Sequence, residues 1–246
     1  MLEMREIKKT YGELTALNNI SLTLEEGVYA LLGPNGAGKS TLMSIITGNC
    51  RADSGVVLWN DKEIKKLGRA YRSILGYAPQ QQGLYDTFTG RRFLCYMAAL
   101  KELPGKCLET EAEKAAAYVN LTDKLDMPIG SYSGGMKQRL LVAQAVMGNP
   151  ELIILDEPTA GLDPKERVRI RERIQALSEG RVILVATHVV SDIETIAREV
   201  IMLKQGELIA QGEVGSLCEQ YHEADLEAVY MHLFGRGGDA DGGADH

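Results

Sequence analysis

The sequence predicts an α/β fold: a mainly parallel sheet, helices packed on it, and a helical block inserted in the chain. Three observations carry that reading. Val28-Tyr29-Ala30-Leu31-Leu32 is an apolar run that leads into a glycine-rich loop and then into a helical stretch at residues 42–46. Residues 152–155 and 182–186 are continuously apolar, the pattern of strands covered on both faces in a parallel sheet. From residue 87 to residue 148 no convincing strand remains, and helical patterns take over.

Taken in order, residues 2–8 read as a first strand. Ile20, Leu22 and Leu24 alternate with Ser21 and Thr23, so a second strand buries one face. Glu25-Glu26-Gly27 turns the chain into the strand at 28–32. Asp53-Ser54-Gly55 precedes a strand at 56–59, Asn60-Asp61 makes a turn, and a short strand at 74–78 closes at Pro79. Helices are expected at 89–100, 108–119 and 136–148, with Pro104-Gly105 and Pro128 as breaks. Asp163-Pro164 offers an N-cap and a first-turn proline, and Gly180 a stop. Between them Ile170, Ile174 and Leu177 fall at i, i+4 and i+7 of an amphipathic helix. Its Arg167, Arg169, Arg171 and Arg173 point several ways and read as a solvated surface. Residues 200–203 and 207–210 flank Lys204-Gln205-Gly206 as a hairpin. Residues 235–246, rich in Gly and Asp, are expected to be disordered.

At 246 residues the chain can bury a proper core, and its apolar and charged fractions of 45% and 25% are those of an ordinary globular protein. A net charge of −7 speaks against a nucleic-acid surface, which needs a basic footprint. The cysteines at 50, 95, 107 and 218 show no C-x-x-C spacing, and the histidines complete no zinc pattern, so reduced thiols are expected. The first residues are too charged for a signal peptide, and no apolar run approaches the about 18 residues of a membrane span. Work at a membrane would need another chain to supply the crossing.

The loop Gly33-Pro34-Asn35-Gly36-Ala37-Gly38-Lys39-Ser40-Thr41 fits G-x-x-x-x-G-K-[ST] without mismatch, in the strand–loop–helix context that the motif requires. Its glycines let successive N–H groups turn inward on phosphate oxygens, and the helix that follows points its positive end at the same place. Lys39 supplies a point charge for the outer phosphates, and Ser40 a hydroxyl for Mg²⁺. Asp156 and Glu157 directly follow the run 152–155, at the carboxyl end of a central strand, where α/β sheets place ligands. Asp156 suits Mg²⁺, and Glu157 suits a base that polarises an attacking water. Ser133-Gly134-Gly135 opens a second helix with glycines, a second place for an anion. One nucleotide needs one such cradle from its own core. A second cradle is most useful facing a nucleotide held by another copy, in a head-to-tail dimer.

These stretches together, with Gly161-Leu162-Asp163, His188 and the continuation Met136-Lys137-Gln138-Arg139, resemble the ATP-binding cassette subunit of ABC transporters. The resemblance runs from the N-terminus to about residue 217. It implies a RecA-like P-loop NTPase core, an N-terminal antiparallel β-subdomain and an inserted helical subdomain. It also implies roles that spacing cannot assign. Tyr11 matches the aromatic residue that stacks on adenine. Gln80 matches the glutamine that senses Mg²⁺ and the water, with Gln81 and Gln82 as possible alternative registers. His188 matches the histidine that contacts the γ-phosphate, and Asp163 the acid that communicates across the dimer. Two departures stand out. Tyr132 and Met136 flank the Ser-Gly-Gly where relatives usually carry Leu and Gln, and Arg92 falls where relatives often carry an acid.

The expectation is one cassette over residues 1–234. Its core and β-subdomain take 1–86 and 149–220, its helical subdomain 87–148 and a C-terminal helical segment 221–234. The ligands expected are ATP and Mg²⁺, the latter near Ser40, Asp156 and Gln80. The partners expected are a multi-span permease and a second copy or paralogous cassette, on the cytoplasmic face of the membrane, with no nucleic acid. The stretch 76–100 looks most like exporter-type cassettes. Two rival readings are a soluble ATPase of the same family acting on nucleic acid or ribosomes, and a module that uses ATP only as a dimerisation ligand. The short span from Gln80 to Ser133 and the acidic charge oppose the first, and Glu157 with His188 opposes the second.

Overall fold

A computed structural model describes residues 1–80 and 83–235. Gln81, Gln82 and residues 236–246 lie outside the described residues, and with them the alternative glutamine registers and nearly all of the tail expected to be disordered. β1 (Leu2–Tyr11), β2 (Leu14–Leu24), β4 (Ser54–Trp59) and β5 (Lys62–Glu63) form an antiparallel sheet in the order β2-β1-β4-β5. The second sheet has β3 (Gly27–Leu32), β6 (Leu75–Ala78), β7 (Leu152–Asp156), β8 (Val182–Ala186), β9 (Glu199–Lys204) and β10 (Glu207–Gly212). Its order is β10-β9-β3-β8-β7-β6, parallel from β9 to β6, with β10 antiparallel at one edge.

The continuous apolar runs have a direct cause: each strand of the parallel sheet feeds two cores. Val28, Ala30 and Leu32, with Ile153, Leu155, Ile183 and Val185, face the helical side. Tyr29, Leu31, Leu152, Ile154, Val182 and Leu184 face the antiparallel sheet and α1 (Lys39–Ile46). The alternation is present, but both faces are apolar, so polarity in the sequence does not display it.

The helical side is built from α4 (Gly90–Leu100), α5 (Leu108–Tyr118), α6 (Gly134–Val146) and α7 (Pro164–Ala176), with α8 (Val214–Tyr221) and α9 (Leu226–Phe234) at the C-terminal end. Residues 83–146 carry no strand, only the isolated bridge between Thr89 and Pro128. Two short helices, α2 (Ile64–Leu67) and α3 (Arg69–Ile74), were not expected, because four and six residues are too few to display a helical period. The C-terminal helical stretch begins at Val214, ahead of the expected 221. α7 ends at Ala176, short of Gly180, which instead takes positive φ in the turn to β8.

The arginines of α7 are more than a solvated surface. Arg171 donates to Ser191 O at 2.7 Å, and Arg167 lies 3.9 Å from the buried Asp192. Arg173 donates to Ala117 O at 3.3 Å and to Asn120 Oδ1 at 3.2 Å. Alternating arginines on a helix flanked by two other segments can serve both, and side-chain periodicity alone does not reveal the flanking partners.

Tyr132, the unusual residue ahead of Ser133, is buried and donates its hydroxyl to Lys124 O at 2.7 Å. Its ring occupies space left by Gly90, where an added Cβ would lie 2.3 Å from the hydroxyl oxygen. Gly90→Ala is therefore expected to cost about 1–3 kcal/mol of stability by overpacking. In a denaturation double-mutant cycle with Tyr132→Leu the penalty should shrink, and strict additivity would contradict this contact.

Candidate functional site

The phosphate-loop motif sits between the end of β3 and α1, and its glycines are required by geometry. Gly33 and Gly38 have φ of 152° and 105°, in the range that L side chains resist. An added Cβ would lie 2.3 Å from Leu203 O at Gly33 and 2.6 Å from Ala16 O at Gly38. The hairpin turn between β9 and β10 supports the loop from outside, with Gly206 N–H donating to Ala37 O at 3.0 Å. The loop is thus closed on one side by backbone, and its open side is the start of α1. Pro34 O accepts from Ala37 N–H at 3.2 Å, while Asn35 and Gly36 form the exposed crest.

Lys39 curls back over this loop. Its ammonium donates to Gly33 O at 2.6 Å and to Pro34 O at 3.0 Å. Burial lowers its affinity for a proton, and the neighbouring charges of Glu157 and Asp156 oppose that shift. A half-buried cation held by uncharged carbonyls gains charge-assisted bonds when it exchanges them for phosphate oxygens. Ser40 and Thr41 follow on the first turn of α1, whose free N–H groups carry the positive end of the helix.

Asp156 is the last residue of β7 and is buried. Burial first, then the charge of Glu157, pushes its carboxyl up to about 6; Lys39 and the Gln80 backbone N–H pull the other way. That hydrogen bond places Gln80, just beyond β6, beside Asp156.

Glu157 has left the strand. Its φ is +51°, a left-handed conformation that a non-glycine residue adopts only when its surroundings hold it. Its N–H donates to Ala186 O at 2.8 Å, and its carbonyl accepts from Gln138 Nε2 at 2.9 Å. Its carboxylate accepts from Thr187 Oγ1 at 3.0 Å and from His188 N–H at 3.1 Å, and lies 2.7 Å from His188 Nδ1. The two side chains proposed from sequence as base and γ-phosphate contact are therefore engaged with each other. Thr187 and Gln138 are residues to which sequence reasoning gives no role of their own, Gln138 being read only as part of the stretch after Ser133-Gly134-Gly135. The available signals were a hydroxyl wedged between strand end and His188, and an amide on a helix face otherwise apolar at Leu141, Val142 and Ala145.

Lys39, Gln80, Asp156, Glu157 and His188 thus come together at one edge of the parallel sheet. Tyr11 is half-exposed, its hydroxyl beside Thr41 of α1 and 3.5 Å from Cys50 Sγ. The remaining candidates stand apart. Ser133 caps α6 by accepting from Met136 N–H at 3.2 Å, and it and Gly134 are exposed. Gly135 packs against Gly161 and Leu162, where a Cβ would meet Leu162 Cδ2 at 3.1 Å. Asp163 caps α7 by accepting from Glu166 N–H at 2.9 Å. Among the described residues no hydrogen bond or ion pair joins Ser133, Gly134, Gly135 or Asp163 to the loop from Gly33 to Thr41. A crevice of about 460 Å³ runs between Gln80 and the start of α6, lined by Gly83, Asp86, Gly134, Lys137 and Gln138. A separate cavity of about 360 Å³ lies at the far end of α1, near Thr47 and Tyr71, away from the acids.

Comparison with known proteins identifies the family and the fold. Residues 17–160 match the ABC transporter family. The linearmycin resistance ATP-binding protein LnrL of Bacillus subtilis (strain 168) is 36% identical over 222 residues, which are 89% of this chain and 71% of that protein. The Nod factor export ATP-binding protein I of Bradyrhizobium diazoefficiens is 32% identical over 242 residues, 98% of this chain and 77% of that one. Among solved structures, the ATP-binding subunit of an ABC transporter superposes with a TM-score of 0.86 at 27% identity, covering 95% of this chain and 99% of its own. The dimeric cassette MJ0796 in a post-hydrolysis state bound to ADP and Pi gives 0.79 at 26% identity, covering 87% of this chain and 98% of its own. A phosphate loop, two acids at the neighbouring strand end and a glycine-opened helix, on a frame shared with these cassettes, lead to one conclusion: the chain belongs to the ABC transporter family, as an ATP-binding, ATP-hydrolysing subunit.

Proposed function

We propose that this subunit drives export, working as a head-to-tail pair of two copies or of this chain with a paralogous cassette. The export direction draws on the names of its relatives, which are resistance and export proteins. The pairing rests on one observation above all: the glycine-opened start of α6 is exposed and makes no bond to the loop of its own chain. In the pair, each ATP is held by Lys39 and Ser40 of one cassette, with Tyr11 against its base. Ser133, Gly134 and Gly135 of the other cassette close over it, and Asp163 lies at the seam. ATP favours the closed pair because it binds that state better than the open one.

A magnesium ion fits the acid end of this site. Asp156 is a buried carboxyl held next to Glu157 at a cost in desolvation, and a cation there would offset it. Ser40 and Asp156, with Gln80 beside them, offer oxygen donors only. Among the described residues no three His, Cys, Asp or Glu side chains gather into a metal centre of their own, so the ion would share its ligands with the nucleotide. When bound, it withdraws charge from the phosphates.

The chain's own residues do the rest. Lys39 gives up the carbonyls of Gly33 and Pro34 for the outer phosphates. His188 turns from Glu157 to the γ-phosphate, which frees the carboxylate to orient the attacking water. Hydrolysis removes the preference for the closed pair, and the pair opens. The motion passes through Gln80 and α4 to a separate multi-span permease, and the cassette itself sits on the cytoplasmic face of the membrane. No helix among the described residues is long and apolar enough to cross a membrane.

Three measurements test this reading. Glu157→Gln should trap an ATP-loaded dimer in light scattering, and a variant that stays monomeric in saturating ATP would contradict the shared site. Asp156→Asn should abolish Mg²⁺-dependent turnover yet stabilise the nucleotide-free protein near neutral pH. The sign follows from the raised pKa: the protonated carboxyl favours the fold below about pH 4, and that contribution is lost as the pH climbs through about 6. Melting curves from pH 4 to 8 should therefore show a loss in the parent protein that the variant lacks. Purification from membranes should recover a multi-span partner, whereas recovery with ribosomes or DNA would overturn the transporter assignment.

A further inference from the structure

We infer that Gln138 is a positioning residue for hydrolysis: from the second turn of α6 it holds the backbone of Glu157 in the conformation that aims the carboxylate. This inference rests on the roles proposed above for Glu157 and for the start of α6.

Gln138 is 7% exposed, in a helix whose neighbouring buried positions are Leu140, Leu141, Val142, Ala143 and Ala145. A buried primary amide in such company must find a partner, and its Nε2 donates to Glu157 O at 2.9 Å. Glu157 is the residue that needs outside support, because its φ of +51° is unfavourable for a side chain with a Cβ. Its N–H is fixed by Ala186 O, and its carboxylate by Thr187 and His188. The carbonyl accepts from Ala160 N–H at 3.1 Å within its own turn and from Gln138 Nε2 at 2.9 Å, and Gln138 is the one of these supports that comes from a helix of the other side of the fold. When His188 turns to the phosphate, the carboxylate loses a contact, and the hold on the carbonyl matters more.

The rest of α6 makes this link stiff. Gln144, 3% exposed, donates to Tyr77 O, three residues before Gln80. Below it the helix lies so close to β6 that a Cβ on Gly76 would fall 2.1 Å from Ala145 O. Two buried glutamines on one helix therefore reach the two strand ends that carry Glu157 and Gln80. The same helix opens at Gly134 and Gly135, where the other cassette's nucleotide is proposed to sit. Gln138 is about 5 Å along the axis from Gly135, so a shift of the helix start is felt at Glu157 almost undiminished. Closure over one nucleotide thereby sets the geometry of the base at the other.

Gln138→Met keeps length and packing and removes the donor. In the full-length chain, ATP turnover should fall ten-fold or more in kcat, with KM for ATP within about two-fold. ATP-loaded dimer should accumulate, as in Glu157→Gln, with thermal stability close to the parent's. Gln138→Glu, which presents a carboxylate to the Glu157 carbonyl, should be impaired at least as much. In the Glu157→Gln background, Gln138→Met should change neither residual turnover nor trapped dimer. Parent-like kcat in Gln138→Met, or a loss of ATP binding together with kcat, overturns the inference. If Glu157→Gln itself keeps turning over ATP, the failure lies instead in the catalytic assignment of Glu157.

Discussion

The register of the parallel sheet is the constraint on which everything else depends. Leu31 pairs with Ala186, and Ala186 with Asp156, so the ends of β3, β8 and β7 lie in one row. Ala78 of β6 pairs with Leu155, which brings the next strand end to the same edge. From that row leave the phosphate loop, Glu157, Thr187 with His188, and Gln80. A slip of one residue in any pair would exchange the apolar faces of that strand and tilt its terminal group away from the others. The two cores, one on each face, make such a slip costly, and so the packing that stabilises the fold also aligns the chemistry.

At that edge two buried acids share one neighbouring lysine. Asp156 and Glu157 are adjacent and buried, and their nearest cation is Lys39, whose ammonium is occupied by loop carbonyls. Burial alone would drive both types of group towards neutrality. On the proposed function, the balance is completed by a ligand that brings both phosphate for Lys39 and a cation for the acids. The left-handed backbone at Glu157 adds strain of about 1–3 kcal/mol, held by hydrogen bonds to every polar group of that residue.

The helical side is fastened to this edge at defined points rather than by apolar contact alone. α6 reaches Glu157 and Tyr77 through its two buried glutamines. α7 reaches the segment after His188 through Arg167 and Arg171, and the end of α5 through Arg173. Polar attachments of this kind have a fixed length and direction, so they transmit displacement where an apolar contact would slide.

Much of this was legible in the chain itself. The loop from Gly33 to Thr41, the acids after residue 155 and the cap at Asp163 are set by local chemistry, because glycine conformation, hydrogen-bond geometry and charge act over a few residues. The strands at 28–32, 152–155 and 182–186 are local too, since burial on both faces leaves a run without polar positions. The short helices α2 and α3, the early start of the C-terminal helices and the partners of the α7 arginines were not legible. The support of Glu157 by Gln138 and Thr187, 19 and 30 positions away, was equally hidden. Sequence by itself determined which groups could meet a nucleotide, because each motif encloses its own geometry. Only the tertiary structure decided how those groups hold one another, because a hydrogen bond between distant segments depends on strand register and helix packing, which no single segment encodes.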